Sequence, residues 1–132
     1  METVNKILLV EDDIFLSSLL KNRLQKENLE VVLAKNGEEA MSFLKETKPN
    51  LILLDIILPK KSGWELMEEL RADPQLKDET PIIIISNLGQ PEDIVRGQQL
   101  GAIEYFIKAK TSIDDLVNRI KDFLIMSKNT SQ

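Results

Sequence analysis

Short apolar runs alternate with amphipathic stretches along almost the whole chain. KILLV (6–10) is a continuous apolar run of the kind that forms a strand buried on both faces. Leu16, Leu19, Leu20 and Leu24 then recur at helical spacing, with Lys21, Asn22 and Arg23 between them. EVVLA (30–34) predicts a second strand. NGEEAMSFLKE (36–46) predicts a turn pair running into a helix with Ala40, Phe43 and Leu44 inward. LILLD (51–55) follows Pro49 and Asn50 as a third strand, and GWELMEELR (63–71) gathers Leu66, Met67 and Leu70 on one helical face. PIIIIS (81–86) is the most β-branched run. PEDIVRGQQL (91–100) opens a helix with proline at its N-terminus and two acids in its first turn. IEYFI (103–107) predicts a fifth strand. Ile113, Leu116, Val117, Ile120, Phe123 and Leu124 stripe a last helix from about 112 to 126.

Strand and helix therefore alternate five times. Parallel strands need crossover connections, and helices of this kind cover both faces of the sheet they connect. Right-handed crossovers leave few topologies for five units, and the common strand order is 2-1-3-4-5. The expected fold is thus α/β: a five-stranded parallel sheet, doubly wound as (βα)5 in the flavodoxin-like manner. No internal repeat, low-complexity tract or linker interrupts the pattern. Residues 1–132 read as a single domain with a core of about 5–126, and SKNTSQ (127–132) reads as a frayed polar tail.

Composition narrows the chemistry. The chain has no cysteine and no histidine, which excludes disulfides, thiolate metal sites, imidazole ligands and histidine-based triads. Its net charge of -5, from 17 basic and 22 acidic residues, argues against direct contact with nucleic acid or an anionic membrane. METVNK lacks the apolar region of a signal peptide, and no apolar run approaches the ~20 residues that span a bilayer. The expected location is the cytoplasm.

In an open parallel sheet, ligands bind beyond the carboxyl ends of the strands, where the strand order reverses. Here the first strand runs into Glu11, Asp12 and Asp13, and the third into Asp55. The fourth ends in Ser86 and Asn87, and the fifth is followed by Lys108. All belong to one edge, as an acidic pocket with a hydroxyl and an ammonium beside it. Carboxylates this close cannot all stay ionised without a counter-charge. Oxygen ligands without nitrogen or sulfur select a hard cation, and one or two carboxylates with a carbonyl suit Mg²⁺ better than a closed Ca²⁺ cage. With such an ion the pocket can take a single phosphoryl group, an aspartate acting as nucleophile.

The segments ILLVEDD (7–13), LILLDIILPKKSG (51–63), IIIIS (82–86) and GAIEYFIKA (101–109), in this order, resemble the receiver domains of bacterial two-component response regulators. The likeness is to the single-domain, chemotaxis-regulator-like style and covers about 5–126. It implies that Asp55 accepts a phosphoryl group from a phosphohistidine on a sensor histidine kinase or a histidine phosphotransfer protein. It implies that Glu11, Asp12, Asp55 and the backbone carbonyl of Ile57 hold Mg²⁺ or Mn²⁺, Asp12 directly and Glu11 through water. Ser86 and Lys108 would then bind phosphoryl oxygens, and Tyr105 would be the aromatic switch residue. The implied protein is a phosphoacceptor switch that catalyses its own phosphorylation and dephosphorylation, rather than an enzyme. It would turn a protein-interaction face, formed by the fourth helix, fifth strand and fifth helix, toward a downstream protein target, as a monomer or a phosphorylation-linked dimer.

Plainer roles stand beside these. Asp13 is either a cap of the first helix or a further ligand. Asp55 and Ser86 could be strand-end polar groups, Lys108 a solvated lysine, and Tyr105 half-buried packing. Trp64 reads as packing, Gly63 as relief of a tight backbone, and Lys60 and Lys61 as a solvated loop. The chain departs from the family at Lys108-Ala109, where the family has Lys-Pro with a cis bond; a trans bond and a shifted loop are expected. Asn87 stands where a small residue is common. Ile57 and Leu88 are apolar where attacking water would pass, which predicts a long-lived phosphorylated state. Two rivals share the architecture. A haloacid-dehalogenase-like phosphohydrolase needs its nucleophile after the first strand and a cap insertion, and a flavodoxin-like FMN carrier needs a phosphate loop where Glu11-Asp12-Asp13 stands.

Overall fold

The apolar runs become β1 (Lys6–Val10), β2 (Glu30–Ala34), β3 (Leu51–Leu54), β4 (Ile82–Ser86) and β5 (Glu104–Ile107) in a computed structural model. The structure describes residues 4–76 and 80–130, the side chains of 127–130 excepted. Between the strands lie α1 (Ile14–Gln25), α2 (Gly37–Glu46), α3 (Gly63–Ala72) and α4 (Pro91–Gln99), and α5 (Ile113–Thr130) follows a short 3-10 turn at Lys108–Lys110. The strands are all parallel, in the order β2-β1-β3-β4-β5, which is the expected flavodoxin-like arrangement.

Alternation along the strands builds two cores. Leu8, Val10, Ile52, Leu54, Ile82 and Ile84 face one side, under Ala40, Met41 and Leu44 of α2 and Leu66, Met67 and Leu70 of α3. Ile7, Leu9, Leu51, Leu53, Ile83 and Ile85 face the other, against Leu20 and Leu24 of α1 and Leu116, Val117 and Ile120 of α5. Each such side chain contributes roughly 1.5–3 kcal/mol by leaving water, so these strand residues and the helix residues packed on them together supply most of the burial.

Helices start where the sequence supplies a cap. Asp13 accepts from the N–H groups of Phe15 and Leu16, which settles its role as the cap of α1. Asn36 accepts from Glu39 N–H to open α2, and Ser62 and Glu65 form a reciprocal capping box on α3. Some details differ from expectation. Leu19 is 46 % exposed, because α1 buries Ser17, Leu20 and Leu24 and Leu19 falls beside that stripe. In α2 the buried face is Gly37, Ala40, Met41 and Leu44, so Met41 takes the place expected of the half-buried Phe43. Helix α5 continues to Thr130 rather than ending near 126, since neither glycine nor proline interrupts it; residues 131–132 of the polar tail lie outside those described. No peptide bond is cis among the described residues, Lys108-Ala109 included.

Candidate functional site

Strand register alone brings the polar residues together. Val10, Leu54, Ile84 and Tyr105 pair side by side across four strands. One residue beyond that row lie Glu11 and Asp55, two beyond lie Asp12 and Ser86, and three beyond lies Lys108. Backbone bonds carry the alignment past the strand ends: Asp55 N–H donates to Val10 C=O and Glu11 N–H to Ala34 C=O, each at 3.0 Å.

The result is a compact acidic centre. Carboxylate oxygens of Glu11, Asp12 and Asp55 lie within 4.8 Å of one another. Glu11 and Asp55 are only 4 % and 5 % exposed, while Asp12 is open to solvent. Lys108 Nζ reaches between the two buried acids, 2.8 Å from Glu11 Oε1 and 2.9 Å from Asp55 Oδ2. The second oxygen of each carboxylate is held by backbone: Asp13 N–H donates to Glu11 Oε2 at 3.1 Å, and Ile57 N–H donates to Asp55 Oδ1 at 3.3 Å.

Electrostatics follow from this packing. Burial pushes the Glu11 carboxyl up from 4.5 to about 7, the Lys108 hydrogen bond opposes this, and the charge of Asp55 adds to it. Burial alone would pull the Lys108 ammonium down, but its bonds to Asp55 and Glu11 outweigh burial and leave it raised. One ammonium among three carboxylates leaves negative charge in excess. Oxygen donors only, two of them buried and under-compensated, fit a hard divalent cation.

Ser86 and Tyr105 form a second group next to the first. Ser86 is fully buried, and its Oγ accepts from Leu88 N–H at 3.3 Å. The half-buried Tyr105 donates its hydroxyl to the Leu88 carbonyl at 2.5 Å. Burial, then the charges of Asp93 and Asp55, push its phenol up to about 12. Leu88 thus links the two residues through its backbone, a role that no side-chain pattern signals. Gly63 relieves a tight backbone, as its sequence position predicts: a β-carbon there would stand 2.5 Å from the Asp55 carbonyl oxygen and 2.7 Å from Ile56 Cα. Phe15, 90 % exposed, and Ile14 beside it follow directly on the acids and give the rim an apolar border. Their position off the α1 stripe was the available signal.

A family model described as the response regulator receiver domain matches residues 7–121. The transcriptional regulatory protein CpxR of Klebsiella pneumoniae is 41% identical over 121 residues, covering 92% of this chain and 50% of that protein. The probable transcriptional regulator ycf27 of Cyanophora paradoxa is 37% identical over 124 residues, covering 94% of this chain and 50% of that protein. The chain spans about half the length of the curated relatives it matches. Among solved structures, the Mn²⁺-bound form of response regulator Rcp1 superposes with a TM-score of 0.80 at 31% identity, over 91% of this chain and 94% of that one. A CheY-like receiver domain protein of Methanospirillum hungatei gives a TM-score of 0.86 at 28% identity, over 97% and 99%.

Proposed function

Since this chain belongs to the response regulator receiver domain family, whose work is phosphorelay signalling, we propose that Asp55 is its phosphoacceptor. The observation that carries this is the Lys108 ammonium held at 2.9 Å from Asp55 and 2.8 Å from Glu11. An Asp55 oxygen attacks the phosphorus of a phosphohistidine; the new O–P bond forms as the N–P bond breaks, and the imidazole leaves. Lys108 stays beside the acceptor and balances charge on the transferred group. Ser86 Oγ uses a lone pair on Leu88 N–H, so its own hydrogen is available to a phosphoryl oxygen. Glu11, Asp12, Asp55 and the Ile57 carbonyl would hold Mg²⁺ or Mn²⁺, which supplies further neutralisation of the phosphoryl oxygens.

Tyr105 reports the event. When Ser86 turns toward the phosphoryl group, Leu88 follows, and the Tyr105–Leu88 bond passes the change to α4, β5 and α5. The partners on this reading are a sensor histidine kinase or histidine phosphotransfer protein on one side and a protein target on the other. The domain itself works as a monomer or a phosphorylation-linked dimer, without direct contact with nucleic acid. Among the described residues no helix is long and apolar enough to cross a membrane, and a cytoplasmic site of action fits the kinase partner.

Incubation with acetyl phosphate and Mg²⁺, followed by intact-mass measurement, tests the proposal. One stoichiometric phosphoryl adduct, absent from Asp55→Asn, is expected; steady release of phosphate from esters would identify a hydrolase instead. The adduct should also be long-lived, because the side chains of Ile57 and Leu88 cannot orient water. Decay within seconds, unchanged in Ile57→Asn, would remove that part.

A further inference from the structure

Helix α4 carries a glycine where its own backbone has no use for one. Gly97 lies inside the helix, and its φ is not positive, unlike that of Gly101. A glycine at such a place is unfavourable relative to alanine, because it gives up more backbone freedom on folding. The compensation is on the buried side. All nine residues of α4 are described, and Gly97 alone among them is buried. A β-carbon at 97 would stand 2.9 Å from Ile84 Cδ1, 3.0 Å from Tyr105 Cδ2 and 3.3 Å from Tyr105 Cε2. The Ile84 contact is closer than non-bonded carbons come and the two ring contacts are tighter than most, so a side chain at 97 would press on the ring and force it to yield by a few tenths of an ångström.

That ring is the one whose hydroxyl meets the Leu88 carbonyl, and Leu88 N–H meets Ser86. A continuous line of contacts therefore runs from Ser86 through Leu88 and Tyr105 to the backbone of α4. We propose that Gly97 is a positioning residue of the switch: its missing side chain is the seat of the Tyr105 ring, and thereby ties α4 to Ser86. This rests on the reading of Tyr105 as the switch residue. A side chain at 97 competes with the seated ring and shifts the population toward a ring turned out to solvent.

The chain has a single tyrosine, so labelling with 3-fluorotyrosine gives one fluorine resonance. Its solvent isotope shift, between H₂O and D₂O, measures how far the ring is exposed. In the full chain, with and without Mg²⁺ and beryllofluoride, the wild type should show a small shift. Gly97→Ala should enlarge it, and Gly97→Val should bring it to that of the unfolded chain, while acetyl phosphate still forms the Asp55 adduct. Unchanged resonances in both variants, with only lowered melting temperatures, would overturn the proposal and leave Gly97 a packing residue. Should Gly97→Val not fold, Gly97→Ala with Ile84→Val relieves the isoleucine contact and keeps the tyrosine ones. Persistent displacement of the ring there supports the seat; a wild-type resonance overturns it. Loss of the adduct from the wild type would instead sink the phosphoacceptor reading, whereas the isotope shift tests the seat by itself.

Discussion

Glu11 and Lys108 show how a single residue can make a site both reactive and unstable. With the Glu11 carboxyl raised from 4.5 to about 7, the folded chain keeps a proton that the unfolded chain releases between those values. Stability from this group is therefore full below about pH 4.5 and is lost as pH rises toward 7, by on the order of 3 kcal/mol. Urea midpoints should fall between pH 5 and pH 7.5, and Glu11→Gln should flatten the trend. Saturating Mg²⁺ should flatten it too, because the ion binds the ionised form. Lys108→Met leaves two buried acids without their ammonium and should cost on the order of 3 kcal/mol at pH 8, measured in the same way. Which residues gather here was legible from the sequence, since each is the first polar group past an apolar run. The reach of Lys108 to both acids, and the Leu88 carbonyl under Tyr105, were not. Those depend on side-chain length and loop path, which a one-dimensional pattern does not carry.

At the scale of elements, the loop between β3 and α3 is where backbone and chemistry meet. Gly63 N–H donates to the Ile56 carbonyl at 2.9 Å, and its α-carbon lies against the Asp55 peptide. Gly63→Ala must therefore move backbone rather than a side-chain tip. A loss of about 2–3 kcal/mol in unfolding free energy is expected, together with weaker Mg²⁺ binding by titration. Ser62→Ala removes half of the capping box and should cost about 1 kcal/mol without touching the metal. Comparing the two separates helix stability from site geometry. Helix α3 also reaches α4: the Arg96 guanidinium lies 4.6 Å from the Trp64 ring centroid and 3.5 Å from Glu68, and Arg71 Nε donates to the Leu100 carbonyl at 2.7 Å. Element types and strand order were readable because alternation of short apolar runs and amphipathic helices admits few sheets. Faces were less readable at their margins, where Leu19 and Phe43 sit one helical step from the buried stripe and hydrophobicity alone cannot place them.

For the whole molecule, burial falls off across the sheet. Every residue of β3 and β4 is buried, whereas all four residues of β5 are only half-buried. Hydrogen exchange should be slowest in β1, β3 and β4 and measurably faster in β5 and α4. Equal protection in all five strands would contradict this gradient. The two faces of the sheet also differ in how their helices are fastened. Arg23 of α1 meets Asp114 of α5, and Lys121 of α5 meets Glu27 just past the end of α1, each at 2.5 Å. Helix α4, by contrast, buries a single glycine. A disturbance at the acidic edge would thus meet two braced helices on one flank and, on the other, a helix held through Arg96 and Arg71 but with little buried mass of its own to anchor it.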